Sequence, residues 1–224
     1  MVKVILLSTS ASDLKGHPTG VWLEELAVPY YLFKEKGYQV ILASPKGGAV
    51  PIDAGSMKGD FFTEPCKQFM ADTTAQQAVE NTHILATVDL RAVDAIYLAG
   101  GHGTCVDYID NPALKKAVET LYATDKVVAA DCHGPIALAE CVGPDGEPLV
   151  KGKKVTGFTD AEEDAVQLTS IVPFLIETKF KEQGALYEKA DNWNPKVCVD
   201  GKLLTGQNPA SSELLAKEVV KLLG

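Results

Sequence analysis

Four short apolar runs, Lys3–Leu7, Tyr38–Ala43, Asp94–Leu98 and Val127–Ala130, recur along the chain. None alternates in and out as a half-exposed strand would, so each reads as a strand covered on both faces. Helical patterns fill the gaps. From Gly20 to about Lys36, residues Trp22, Leu23, Leu26, Tyr30 and Phe33 share one face. Pro29 falls inside this pattern and is expected to kink or divide it. Asn111 is placed to cap a helix that opens on Pro112 and runs to about Ala123. Further helical stretches cover Cys66–Asn81, Ala161–Gln167 and Pro173–Gln183, and a last one opens at Asn208-Pro209. Lys153–Val155 begins another strand, and Asp200-Gly201 is a hairpin turn between Val197–Val199 and Leu203-Leu204. Strands alternating with helices predict an α/β fold: a flavodoxin-like sandwich, with a mostly parallel sheet covered on both faces. The 224 residues are enough for one such domain spanning 1–224.

Composition narrows the class. The net charge of -9 argues against nucleic-acid and anionic-membrane partners. Cysteines stand at 66, 105, 132, 141 and 198, an odd count with no CxxC. That spacing suits reduced thiols rather than a disulfide scaffold or a structural zinc site. The first apolar run is too short for a signal peptide, so a cytoplasmic location is the expectation.

One stretch carries chemistry. Val127–Asp131 reads as a buried strand that stops at Cys132 and is followed by His133-Gly134-Pro135 and a helix-like run, Ile136–Glu140. A strand-to-helix turn pushes the cysteine out of the sheet, and the positive helix end favours thiolate. The plainer reading is a cysteine that only packs. At such a turn the His133 ring is expected to point away from the sulfur, while its N–H suits an oxyanion. Gly100 and Gly101, at the end of the preceding strand, let a second N–H approach. Because no long helix follows, Gly100–Gly103 is not a dinucleotide fingerprint. Loop histidines His17 and His102 are candidates for the cavity mouth, with plain exposure as the alternative. No metal site assembles from these residues. Cys105 is read as a packing residue, and Trp193 as either a pocket wall or a core residue.

The pairing of Ala99-Gly100-Gly101-His102-Gly103 with Ala130-Asp131-Cys132-His133-Gly134-Pro135 resembles the ThiJ/PfpI superfamily, within the class I glutamine amidotransferase-like fold. Thr19–Pro29 looks like that superfamily's first helix. Val155–Glu163 and Leu204–Ser212 look like its branch of heat-shock chaperones and glutathione-independent glyoxalases (glyoxalase III). The resemblance covers nearly the whole chain. It implies Cys132 as nucleophile, His133 as triad histidine and Glu163 as triad acid, with Glu162 and Asp160 ranked below. It implies Glu25 as the carboxyl beside the sulfur, with Glu24 the alternative, and Gly101 and His133 as oxyanion donors. Burial would keep the Glu25 carboxyl neutral and able to pass a proton.

The expected activity is therefore cofactor-free conversion of a small reactive dicarbonyl, methylglyoxal, to lactate, by a homodimer. The alternatives are a holding chaperone, a redox sensor using Cys132, or a hydrolase or protein deglycase with the same nucleophile.

Overall fold

The computed structural model describes residues 1–224. In chain order, β1 (Lys3–Leu7) leads to a small hairpin of β2 (Asp13–Leu14) and β3 (His17–Pro18), then α1 (Leu23–Glu35) and β4 (Gln39–Ser44). Helices α2 (Glu64–Ala71) and α3 (Thr73–Glu80) precede β5 (His83–Ile84) and β6 (Ala95–Leu98). The single-turn α4 (Thr104–Asp107) and α5 (Pro112–Ala123) lead to β7 (Val127–Asp131). After a 3-10 helix at Gly134–Glu140 come β8 (Lys154–Val155), α6 (Asp160–Ala165), α7 (Ile176–Glu182), β9 (Leu186–Tyr187), β10 (Val197–Asp200), β11 (Leu203–Gly206) and α8 (Ser212–Leu223).

Seven strands form one sheet in the order β10-β11-β7-β6-β1-β4-β5, parallel except for the β10–β11 hairpin. Alternation along the central strands feeds two cores. Ile5, Leu7, Ile96, Leu98, Val128 and Ala130 face the layer that contains α5. Val4, Leu6, Ala95, Tyr97, Val127 and Ala129 face the layer of α1 and α8. Both faces are covered, as the uninterrupted apolar runs require, and the expected flavodoxin-like α/β sandwich is the observed one. No helix is long and apolar enough to cross a membrane.

Several boundaries differ from expectation for local reasons. Pro29 does not divide α1: Leu26, Ala27, Tyr30 and Phe33 pack on the sheet from both sides of it and keep both halves helical. The stretch expected as one helix at 66–81 is two, because the Asp72 carboxylate accepts from the N–H groups of Thr74 and Ala75 and starts a new helix. The hairpin turn is Gly201-Lys202, one residue later than read, since Asp200 already pairs with Leu203. Lys154–Val155 pairs with Leu186–Tyr187 in a separate two-stranded sheet. The run after Cys132 is a short 3-10 helix, so its dipole is weaker than that of the helix expected there.

Asp131, the last residue of β7, is fully buried. Its Oδ2 accepts from Tyr97 Oη at 3.2 Å and from Ser212 Oγ at 2.7 Å, while Oδ1 has no partner. Burial pushes this carboxyl up to about 7. The folded state therefore holds a proton that the unfolded chain releases near pH 4. The contribution of this carboxyl to stability falls as pH rises from about 4 to about 7. Asp131→Asn removes that loss. Its stability advantage over wild type should grow by on the order of 2–4 kcal/mol between pH 4.5 and pH 8. Urea midpoints at the two pH values measure it; an advantage independent of pH contradicts the assignment.

Candidate active site

Because β6 and β7 are parallel neighbours, the loops that leave their carboxyl ends meet. Cys132 sits at the end of β7 with φ of 54°, a left-handed conformation rare outside glycine. Two hydrogen bonds hold it there. Its N–H donates to the Gly206 carbonyl at 3.0 Å, and its carbonyl accepts from Phe158 N–H at 2.8 Å. The side chain is only 3% exposed, yet it lines a cavity of about 410 Å³.

The His133 ring does not point away from the sulfur, as the turn geometry had suggested. Its Nδ1 lies 3.4 Å from Cys132 Sγ, and its Nε2 lies 2.7 Å from Glu163 Oε2. The chain thus brings together Cys132, His133 and Glu163. A residue that sequence reasoning left as a loop histidine joins them: His102 Nε2 lies 2.7 Å from Glu163 Oε1. The two rings pack with centroids 3.9 Å apart, and Phe158 covers His133 at 4.3 Å. One carboxylate therefore serves two imidazoles. Burial alone would raise the Glu163 carboxyl, but His133 and the hydrogen bonds from both histidines outweigh it and hold it well below the carboxylate range. Burial and the neighbouring His133 lower His102.

The capping box at the start of α6 aims Glu163. Thr159 Oγ1 accepts from Glu162 N–H, and the Glu162 carboxylate accepts from Thr159 N–H. Glu162 is not part of this arrangement. Its Oε1 accepts from Trp193 N–H, Gln207 Nε2 and Asn208 Nδ2, so it ties three segments together in the interior. Asp160 faces outward and accepts from Thr178. Between the three acids near this helix start, geometry selects Glu163.

Glu25 is fully buried on α1, and its Oε2 accepts from Gly100 N–H at 2.8 Å. Its Oε1 has no well-formed hydrogen bond, and the carboxyl faces the Cys132 thiol. Burial raises Glu25 well above its usual range, with Asp131 adding to it. Burial also raises the Cys132 thiol, followed by the charges of Glu25 and Asp131. The expected easy thiolate is therefore absent: desolvation and two carboxyls outweigh a short helix end. The Cys132 thiol and the Glu25 carboxyl face each other, so ionising one disfavours ionising the other. Glu24, one residue away, lines the same cavity and is pushed up to about 7 by burial. Sequence reasoning allowed only one of the two glutamates near the site, because it considered only the apolar face of α1.

Gly100 leaves the expected set of oxyanion donors, since its N–H is held by Glu25. The N–H groups of Gly101 and His133 make no hydrogen bond within the chain, and both residues line the cavity. Gly101 has φ of 92°, and a Cβ there would lie 2.4 Å from the Gly20 carbonyl oxygen. Only glycine fits.

The ligand atoms of His102, His133 and Glu163 lie within 4.8 Å of one another. Their 2.7 Å contacts are hydrogen-bond distances; an ion held at ~2.1 Å from each atom would force them apart. As arranged, Glu163 is hydrogen-bonded to both imidazoles, one on each carboxylate oxygen. His17 lies in the β2–β3 hairpin, away from the cavity lining. Cys105 packs into the α5-side core, as expected, and all five cysteines are free thiols. Trp193 walls the cavity, and Asp60, Phe61 and Thr63 reach it from the long segment between β4 and α2.

Similar proteins share this arrangement of chain. Glyoxalase 3 of Candida albicans is 35% identical, with 98% of each sequence covered. A glutathione-independent glyoxalase of Saccharomyces cerevisiae is 31% identical over 99% of this chain and 98% of the relative. The crystal structure of glyoxalase III from Candida albicans superposes with a TM-score of 0.90 at 33% identity, covering 98% of this chain and 96% of that one. The Rapid Encystment Protein of Francisella tularensis superposes at 0.95 with 35% identity and full coverage of both. Residues 18–222 match the DJ-1/PfpI family, and the chain belongs to it.

Proposed function

We propose that the chain is a glutathione-independent glyoxalase that converts methylglyoxal to lactate. One observation carries the reading: a single cavity holds the Cys132 sulfur, an imidazole 3.4 Å from it and two unpaired N–H groups, with the Glu25 carboxyl buried against the sulfur behind the cavity wall. The relatives named glyoxalase support the substrate.

The steps follow from the placement of each group. The Cys132 thiol gives its proton to His133 Nδ1, and the sulfur adds to the aldehyde carbon. A C–S bond forms, and the carbonyl electron pair moves to oxygen, which rests on the N–H groups of Gly101 and His133. Glu163 holds the charged His133 ring in place. His133 passes the thiol proton on to the hemithioacetal oxygen and then takes the proton from the aldehyde carbon. The neutral Glu25 carboxyl meanwhile gives its proton to the neighbouring carbonyl oxygen, forming an enediol. His133 then protonates the second carbon as the first hydroxyl gives its proton back to Glu25. The product is a thioester, which water cleaves to lactate and free thiol. The first carbon is oxidised and the second reduced by the same amount, so the sum is methylglyoxal plus one water, with no external electron acceptor. No lysine or arginine lines the cavity, and Glu24 and Asp60 do. A neutral substrate enters such a site freely, and the anionic product is repelled from it.

The deciding experiment is a lactate assay with methylglyoxal and no thiol cofactor. Wild type should form lactate stoichiometrically. Cys132→Ala should lose at least about a thousandfold in kcat/KM, and Glu163→Gln about a hundredfold. A fully active Cys132→Ala rules the scheme out. Ester hydrolysis without lactate formation would point to a hydrolase.

The raised thiol makes a second prediction. Iodoacetamide labelling of Cys132, read by mass spectrometry, should accelerate steadily between about pH 6 and pH 9. A rate already level at pH 6 would mean a preformed thiolate and contradict the raised thiol.

A further inference from the structure

The cavity is several times larger than methylglyoxal needs. A three-carbon dicarbonyl occupies the space of a few waters, on the order of 100 Å³. The cavity holds about 410 Å³, within the range of sites for much larger ligands. Its inner end is polar, with Cys132, His133 and Gly101; its outer wall is apolar, built from Trp22, Phe61, Phe158, Val166 and Trp193. Three of these remain open to solvent at the mouth: Phe61 is 51% exposed, Trp193 47% and Val166 37%. Exposed apolar groups gathered around one opening mark a binding surface.

The backbone of Trp193 adds an independent observation. Its φ is 66°, a left-handed conformation that bulky residues avoid. The fold maintains it: Glu162 Oε1 accepts the Trp193 N–H at 2.9 Å, and the indole packs on Phe158 with centroids 5.9 Å apart. A strained indole held half-exposed at the mouth gains little for stability. It gains where a flat apolar group enters beside it. On the opposite side, Trp22 meets Phe61 edge to face at 5.1 Å. The acids on the cavity wall, with no lysine or arginine, exclude a carboxylate or phosphate on the entering molecule.

We infer that the cavity is built for neutral 2-oxoaldehydes bearing a bulky apolar substituent, above all an aryl group, with the aldehyde at Cys132 and the ring between Trp193 and Phe61. This rests on the glyoxalase reading of the same site. For phenylglyoxal the sum is aldehyde plus water giving mandelate. The C–S bond forms at the aldehyde carbon and breaks in hydrolysis, one proton moves to the benzylic carbon, and the oxidation and reduction stay within the substrate.

The test compares kcat/KM for phenylglyoxal and methylglyoxal, with mandelate and lactate measured by chromatography. Phenylglyoxal should be preferred by about tenfold or more. Trp193→Gly removes the ring and relieves the positive φ, so it should fold normally and lower the preference by about tenfold. Leu186→Ala, an exposed apolar residue outside the cavity, should leave the preference unchanged. Equal or faster turnover of methylglyoxal, or a preference that Trp193→Gly does not move, overturns the inference while the glyoxalase reading stands. Turnover of neither aldehyde overturns the glyoxalase reading. Binding then decides the inference separately. Both tryptophans of the chain line the cavity, so quenching of their fluorescence in Cys132→Ala should saturate at about tenfold lower phenylglyoxal than methylglyoxal. Equal or absent quenching counts against an aryl site.

Discussion

Everything in the site depends on how the backbone of Cys132 is clamped. A non-glycine residue at φ of 54° relaxes unless its neighbours hold it. The Gly206 carbonyl and the Phe158 N–H do so from two sides. Gly206 ends β11, whose parallel register on β7 sets it beside Asp131. Phe158 belongs to the segment that turns into α6 and carries Glu163. The same two bonds that aim the sulfur therefore fix the strand edge on one side and the acid beside His133 on the other. A slip of β11 by one residue would remove a bond from Cys132 and move the sulfur away from His133.

The electrostatics follow from where these elements converge. Cys132 faces Glu25 and lies beside Asp131, and no permanent cation approaches. In water-poor surroundings two adjacent groups cannot both ionise cheaply, so a proton stays in the pair. A nucleophile activated by a nearby lysine would be anionic at rest. In the proposed scheme the sulfur becomes anionic only as His133 accepts its proton, and Glu163, 2.7 Å from the ring, steadies the resulting imidazolium. His102 takes the other oxygen of Glu163, which stops that carboxylate from rotating away. The second histidine so acts on the orientation of the first.

The fold and part of the site were legible because their signals are local. Uninterrupted apolar runs mark the central strands, and Asn111 before Pro112 marks the start of α5. Cys132 at the end of such a run could be singled out in the same way, and resemblance supplied Glu25 and Glu163. What was missed comes from contacts with no sequence period. His102 meets Glu163 across 61 positions, and Glu162 reaches Asn208 across 46. The tilt of the His133 ring toward the sulfur depends on Phe158 and His102 packing against it, which no spacing reveals. The thiol's high proton affinity was misjudged for a related reason. The dipole of the following turn is visible in the chain, but burial against two carboxyls is a tertiary property.

Gly100 and Glu25 illustrate how such distant residues specify each other. A Cβ at Gly100 would lie 2.6 Å from Glu25 Oε2 and 2.7 Å from His133 N. Any larger residue would push the carboxyl off the N–H it accepts from and crowd the amide next to it. With glycine there, the carboxyl sits on the Gly100 N–H and leaves Gly101 N–H as the free donor beside that of His133. The loop's two glycines thus do different work. One makes room for an acid, and the other turns the next amide toward the cavity. A buried carboxyl that lost this single strong donor would find no other, since its second oxygen already lacks one. The acid on α1 and the glycine after β6 are therefore one device, split across 75 residues of chain and joined by the parallel sheet.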